Sequence, residues 1–303
     1  MYDLVIVGGG PAGLTAGIYG ARARLKTCLL ELGIPGGLAA TTEIIENYPG
    51  FPEGIAGPEL MMRFQDQAER LGLEIRSEEV TGLELVGETK KIQTSTGLYE
   101  TKAVIIATGS RPKNLGVPGE ADFYGQGVSY CATCDGAFFK NREVVVVGGG
   151  DAAVDEAQFL TRFASKVTIV HRREGFRAAR ISLDRAKANE KIQFHLNAVV
   201  ESIEGSRGVE AVVVKDVHTG AISKIPAKGV FVYVGTDPNT KFLEGQLELT
   251  PQGHIKTGAS LQTSIPGIFA AGDVRETLLR QVSTAVGDGA LAAMEAEKFL
   301  ANL

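Results

Sequence analysis

One pattern occurs twice in this chain of 303 residues, and it constrains the fold more than any other feature. In the first copy the apolar run Tyr2–Val7 leads into Gly8-x-Gly10-x-x-Gly13. Leu14–Ala23 then reads as a helix, and a second apolar run, Thr27–Leu30, ends at Glu31. In the second copy Val144–Val147 leads into Gly148-x-Gly150-x-x-Ala153. Asp151–Phe163 reads as a helix, with Val154, Ala157, Phe159 and Leu160 near helical spacing, and Val167–Val170 ends at His171. Gly8 to Gly148, Gly10 to Gly150, Gly13 to Ala153 and Glu31 to His171 share one offset, 140 residues. Short, wholly apolar runs suit parallel strands buried on both faces. Strand, glycine turn, helix and strand together form a dinucleotide-binding unit. The expected fold class is therefore α/β with two Rossmann-like units, and the length agrees with two domains at roughly 100–200 residues each.

Glycine makes up 38 of the 303 residues, and the turns explain part of that excess. The first glycine permits the tight turn out of the strand. The second lets backbone approach a pyrophosphate, and the third, Gly or Ala, lets helix and strand pack closely. The pyrophosphate then meets the free N–H groups and positive end of the helix dipole. The two strand tips separate the nucleotides. Glu31 suits the ribose hydroxyls of FAD or NAD and repels a 2′-phosphate. At the second tip no acid stands; His171 is followed by Arg172, Arg173, Arg177 and Arg180. Guanidinium groups grip phosphate in a bidentate manner, so this site points to NADP. His195, His218 and His254 form no pair at ligand spacing and receive no role.

Between the units lies Cys131-Ala132-Thr133-Cys134-Asp135-Gly136. A dithiol at this spacing can close a small disulfide ring and reopen it by exchange with a partner disulfide, and Asp135 is placed to shuttle a proton. A zinc site usually needs four ligands, and the sequence offers no second C-x-x-C or H-x₃-H; zinc and an inert buried pair remain the rival readings. Cys28 sits in an apolar run and reads as core. A net charge of −5 argues against nucleic-acid binding. No apolar run approaches the ~20 residues of a membrane helix, and MYDLVIVGGG lacks a basic leader region. A cytoplasmic location is the expectation.

Taken together the motifs resemble the bacterial-type, low-molecular-weight thioredoxin reductases along essentially the whole chain. They are VIVGGGPAGLTAGIY at 5–19, PGG at 35–37, ENYPGF at 46–51, ATGSRPKNLGVPGE at 107–120, CATCDG at 131–136, VVVVGGGDAAVDEAQFLT at 144–161, HRREGFRAA at 171–179, GTDPNT at 235–240, AAGDV at 270–274 and RQVSTAVGDGALAA at 280–293. The CATCD and HRRxxFR segments are the specific ones. The resemblance implies FAD on the first unit, with Gly8, Gly10, Pro11, Ala12 and Gly13 at the pyrophosphate and Glu31 at the ribose. Gly36, Gly37, Leu38 and Asn47 would line the flavin side, Gly272 and Asp273 the ribityl and phosphate end, and Gln281 and Val282 the ring. NADPH would lie on Gly148, Gly150, Asp151, Ala152 and Ala153, with His171, Arg172, Arg173 and Arg177 around its 2′-phosphate. By the same resemblance Cys134 meets the flavin, Cys131 attacks the protein substrate and Asp135 donates the proton.

The AAGD segment belongs with FAD, yet it follows the NADP unit. The resemblance thus implies an NADPH domain at 117–240, inserted into a discontinuous FAD domain at 1–113 and 243–303, with a swivel between the two. The partner it implies is thioredoxin or a thioredoxin-like protein, and the assembly a homodimer; a glutaredoxin-like or peroxiredoxin partner stays open, as does a related ferredoxin- or flavin-linked NADP oxidoreductase. Leu38 departs from the family's frequent GGQL and removes an amide beside the flavin; Ala152 replaces a frequent Ser. Val199–Val217 and Ala221–Val234 read as strand-rich, Ala285–Leu300 as a closing helix, and Phe138 and Phe139 as core before docking surface.

Overall fold

The computed structural model describes residues 1–243 and 245–303; Glu244 lies outside the described residues. The chain forms two compact units, Met1–Arg111 with Asp237–Leu303, and Pro112–Thr236. Each is a mixed α/β body built on one of the two glycine turns.

In the first unit the strands lie in the order Glu74–Ser77, Thr27–Glu31, Tyr2–Val7, Leu98–Ile106, Lys90–Thr94, Val80–Glu84. The central pairs are parallel, with Leu4 opposite both Thr27 and Ala103. Leu98–Ile106 changes neighbour along its length: Lys90–Thr94 pairs antiparallel with its first half, and Ile268–Ala270 parallel with its second. Because side chains alternate across a strand, the Tyr2–Val7 run feeds two cores. Leu4 and Ile6 pack with Leu14, Leu29, Ile105, Phe269 and Ala292 on one face. Val5 and Val7 pack with Cys28, Leu30, Val104 and Ile268 on the other. Cys28 is fully buried, as expected of a core residue, and burial first, then the Glu74 carboxylate, pushes its thiol up to about 12.

The first helix runs Pro11–Arg22, not from Leu14, because Pro11 takes the N1 position where its missing N–H costs nothing. It carries Gly13, Gly17 and Gly20 in its interior, each about 1 kcal/mol worse than Ala for helix formation. Packing offsets this: a Cβ on Gly17 would lie 2.4 Å from Leu73, and one on Gly20 2.8 Å from Thr27. The closing helix runs Val282–Ala301 and starts three residues before the expected Ala285, since Thr284 Oγ1 accepts from the Gln281 N–H at 3.1 Å and caps it there.

In the second unit five parallel strands lie in the order Ile192–Leu196, Lys166–His171, Glu143–Gly148, Gly229–Tyr233, Val128–Ser129. The helices Asp151–Leu160 and Arg180–Ala188 cover one face over Val144, Val146, Ile169 and Phe231. The antiparallel ribbon Ala198–Gly205, Val209–Asp216 and Ile222–Pro226 covers the other over Val145, Val147, Val170 and Val232. The Asp151 helix stops at Leu160 rather than Phe163; the next residues turn, and the Ala164 N–H closes on the Leu160 carbonyl at 2.8 Å.

The chain leaves and re-enters each unit through neighbouring backbone. In the first, Thr108 Oγ1 donates to the Asn239 carbonyl and Asn239 Nδ2 to the Thr108 carbonyl, both at 2.9 Å. In the second, the Lys113 N–H donates to the Gly235 carbonyl at 3.0 Å.

Candidate active site

The first turn has the shape its glycines dictate. Gly8 has φ +106°, in the region that favours glycine, and a Cβ there would lie 2.4 Å from the Ala107 carbonyl oxygen. A Cβ on Gly13 would lie 1.9 Å from the Gly8 oxygen. A Cβ on Gly10, by contrast, would meet nothing within 4 Å. The turn is packed on the protein side and open in front of Gly10, where Pro11 begins the helix with no side-chain cap and no acid in its first turn. That is a cradle for an anionic group, and the residues present fit a pyrophosphate. Glu31 Oε2 accepts from the Gly9 N–H at 2.7 Å, so the strand tip is fixed beside the turn. The Gly36 N–H donates to the Gly9 carbonyl at 2.8 Å, and a Cβ on Gly37 would lie 3.3 Å from Gly10 Cα. A Cβ on Gly272 would lie 2.9 Å from the Ala12 side chain. Asn47 Nδ2 donates to Gln281 Oε1 at 3.0 Å. Gly8–Gly13, Glu31, Gly36–Gly37, Gly272 and Asp273 thus gather around one turn, and Asn47 joins Gln281, at the head of the helix that starts at Val282. Leu38 is 39% exposed and leaves its short helical turn apolar at that point. Burial raises the Asp273 carboxyl above its ordinary range, with the Arg280 guanidinium opposing it.

The second turn repeats the plan. Gly148 has φ +156°, its Cβ would lie 2.4 Å from the Tyr233 oxygen, and a Cβ on Gly150 would again meet nothing within 4 Å. The tip residue again sits over the middle glycine: a Cβ on Gly149 would lie 2.3 Å from the His171 ring. The basic loop folds back on this turn. The Arg177 N–H donates to the Gly149 carbonyl at 2.8 Å, and Asp151 Oδ1 accepts from the Ala179 N–H at 2.7 Å. Ala153 is buried, whereas Ala152 is exposed on the same helix. Desolvation, then the neighbouring Arg172, Arg173 and Arg177 cations, lowers the His171 pKa, while its bond to the Gly175 carbonyl opposes this. Arg172, Arg173 and Arg177 are exposed and form no ion pair with an acid among the described residues. The donor set fits a phosphate that brings its own charge.

Cys131 and Cys134 are joined in a disulfide at the start of the short helix Ala132–Asp135. Four groups fix its backbone and sulfur. The Cys131 N–H donates to Ser129 Oγ at 3.0 Å, the Ala132 N–H to Tyr233 Oη at 2.9 Å, and the Cys134 N–H to Cys131 Sγ at 3.2 Å; Thr133 Oγ1 lies 3.3 Å from the same sulfur. Ser129 and Tyr233 come from the C-terminal ends of adjacent parallel strands. Asp135 Oδ2 accepts from Ser129 Oγ at 2.7 Å. Cys134 is exposed and Cys131 half-buried. The two phenylalanines expected in the core divide: Phe139 packs on Phe231, ring centroids 5.3 Å apart, but Phe138 is 81% exposed. The reason is local, since the 3₁₀ turn at Gly136–Phe139 can bury only one of two adjacent rings.

Sequence reasoning missed Ser129, Tyr233 and the Arg275–Asp288 pair. Arg275 Nε donates to Asp288 Oδ2 at 2.7 Å, and the Gly272 N–H to the same oxygen at 3.0 Å, so a helical carboxylate holds the turn beside Asp273. Ser129 could have been flagged by its place two residues before Cys131; Tyr233, about a hundred residues away, had no local signal. No group of three or more His, Cys, Asp or Glu suited to a metal occurs among the described residues, nor any helix long and apolar enough to cross a membrane.

Two glycine turns that each fit a phosphate, together with a Cys131–Cys134 disulfide, match an oxidoreductase that links a nucleotide to a disulfide. The chain belongs to the pyridine nucleotide-disulphide oxidoreductase family, whose profile matches residues 2–289, and within it to the thioredoxin reductases. It is 48% identical over 303 residues to the thioredoxin reductase of Mycolicibacterium smegmatis, covering 100% of this chain and 97% of that protein. It is 47% identical to that of Bacillus subtilis strain 168, covering 100% and 96%. The crystal structure of Lactococcus lactis thioredoxin reductase in its FR conformation matches with a TM-score of 0.98 at 49% identity, covering all of both chains.

Proposed function

We propose that this enzyme carries FAD on the Gly8–Gly13 turn and NADPH on the Gly148–Ala153 turn, and reduces the disulfide of thioredoxin or a thioredoxin-like protein through Cys131 and Cys134. The unit Met1–Arg111 with Asp237–Leu303 is the FAD domain in this reading, and Pro112–Thr236 the NADPH domain. The disulfide formed by Cys131 and Cys134, one turn of chain before the second nucleotide strand, carries the proposal. When bound, the nicotinamide and flavin supply a hydride and relay its electron pair to that disulfide.

The chain's own residues do the rest. Glu31, with one oxygen on the Gly9 N–H, retains lone pairs for ribose hydroxyls. Asp273, partly buried, would accept from the ribityl hydroxyls. Arg172, Arg173 and Arg177 neutralise the 2′-phosphate. In the disulfide state the Cys134 N–H donates to Cys131 Sγ and the Thr133 hydroxyl lies 3.3 Å from it, so both stand ready to stabilise negative charge there on reduction. Hydrogen bonds to the charged form favour it, so the thiolate forms at Cys131, and Cys131 attacks the partner disulfide. Cys134 then attacks Cys131 Sγ, and the departing partner sulfur takes its proton from Asp135. The same resemblance carries a homodimer and a cytoplasmic location.

The test is steady-state oxidation of NADPH by the FAD-loaded protein with thioredoxin as acceptor; turnover is the expected result, and reduction of flavin without thioredoxin turnover would overturn the partner assignment. Replacing Arg172 and Arg173 together with Ala removes two charge-assisted phosphate contacts, each worth roughly 1.5–3 kcal/mol. The KM for NADPH is expected to rise at least about a hundredfold, with little change for NADH. An equal loss with both nucleotides would refute the phosphate role.

A further inference from the structure

We infer that Ser129 is a positioning residue for the proton step of the dithiol exchange: it holds Asp135 so that Oδ2 always accepts and Oδ1 carries the transferable proton. The inference rests on the assignment of Asp135 as proton donor. Ser129 sits at the end of the edge strand Val128–Ser129 and is 3% exposed, so its hydroxyl has no competing water. A hydroxyl has one proton and two lone pairs. One lone pair takes the Cys131 N–H at 3.0 Å. The proton has two acceptors within reach, Asp135 Oδ2 at 2.7 Å and the Cys131 carbonyl at 3.2 Å. The shorter contact to a carboxylate is the stronger, since bonds to an ionised acceptor run at about 2.5–2.7 Å and are roughly twice as strong as neutral ones.

The geometry has a chemical consequence. An oxygen that accepts the Ser129 proton cannot at the same time point its own proton along that direction. While Oδ2 takes the Ser129 proton, the acid form of Asp135 carries its hydrogen on Oδ1. In the step concerned Cys134, having released its proton to solvent, attacks Cys131 Sγ of the mixed disulfide as the thiolate. The Cys131–Cys134 bond forms, the bond from Cys131 to the partner sulfur breaks, and that sulfur leaves with the electron pair and takes the proton from Oδ1. Asp135 recovers a proton from water. The dithiol is oxidised by two electrons and the partner disulfide is reduced by two. Through its other contact Ser129 ties the carboxylate to the Cys131 backbone, so the acid and the residue whose sulfur is attacked are held by a single side chain.

The experiment is single-turnover reduction of thioredoxin by the prereduced, FAD-loaded enzyme across pH, with NADPH-driven flavin reduction as the check of folding. Asp135→Asn is expected to slow the exchange about a hundredfold, within the range for a lost general acid, and Ser129→Ala roughly tenfold. Ser129→Thr, which keeps the hydroxyl, restores the rate. The double variant Ser129→Ala with Asp135→Asn is no slower than Asp135→Asn alone. A wild-type rate in Asp135→Asn would remove the acid assignment and the inference with it. A slow Asp135→Asn beside a wild-type rate in Ser129→Ala, or additive losses in the double variant, would overturn the role of Ser129 alone.

Discussion

With Cys131 replaced by serine, reduction of thioredoxin is expected to fall by at least about a thousandfold, the scale on which loss of a covalent nucleophile is felt. Flavin reduction by NADPH should persist. The outcome depends on which sulfur carries the thiolate. Exposure alone would choose Cys134, which is the more open of the two. Hydrogen bonding chooses Cys131, because the Cys134 N–H at 3.2 Å and the Thr133 hydroxyl at 3.3 Å both address its sulfur, and a thiolate gains more from such donors than a thiol does. Cys134→Ser separates the two possibilities. With Cys131 as nucleophile it stalls as a mixed disulfide between Cys131 and the partner, visible as a covalent adduct by mass spectrometry under non-reducing conditions. An adduct in Cys131→Ser instead, with none in Cys134→Ser, would reverse the assignment.

What the sequence made legible here was local. The glycine turns, their tips and the C-x-x-C each lie within a few residues of one another, and each meaning follows from backbone reach or from the chemistry of a dithiol. The repeat also carried spatial information: the 140-residue offset returns as Glu31 and His171 each lying over the middle glycine of its own turn. The rest depends on strand order. Tyr233 reaches the Ala132 N–H only because Gly229–Tyr233 lies beside Val128–Ser129 in the sheet, and no periodicity in either segment encodes that neighbour. Arg275 and Asp288 meet because a short turn and the closing helix pack together. Phe138 and Phe139 have the same composition signal and different fates, set by which face of a tight turn meets Phe231. Helix ends moved by three residues where a proline, or a Gln281–Thr284 contact, took a capping position that apolar spacing does not report.

The two turns differ at one position, and the difference predicts the second large effect. Gly13→Ala should cost the enzyme its flavin site, whereas its counterpart Ala153 already bears a methyl. The backbone explains why. At Gly8, with φ +106°, the carbonyl oxygen lies over the helix, and a Cβ on residue 13 would approach it to 1.9 Å. At Gly148, with φ +156°, the turn is more extended, and the space holds the Ala153 methyl, itself 2.8 Å from where a Gly148 Cβ would stand. A methyl at residue 13 cannot be absorbed by a side chain swinging away, because the obstacle is backbone in the turn that would carry the pyrophosphate. Gly289 closes the other side: a Cβ there would lie 2.2 Å from the Ala12 oxygen, so the Pro11–Arg22 helix cannot retreat from the strand without striking Val282–Ala301. Overpacking of this kind costs typically about 1–3 kcal/mol, and more where nothing can relax. At about 2–4 °C per kcal/mol for a body of this size, the first unit should melt several degrees lower. The larger effect is on binding, since the turn must shift by more than an ångström to admit the methyl. FAD retained after gel filtration is expected to drop at least about tenfold, a loss of ~1.4 kcal/mol or more in binding. Ala153→Gly, which removes a methyl and adds only about 1 kcal/mol of helix cost, should keep its flavin and nearly normal NADPH kinetics. Full FAD content in Gly13→Ala would show that the turn can open without cost, and would remove the steric reading of the third glycine.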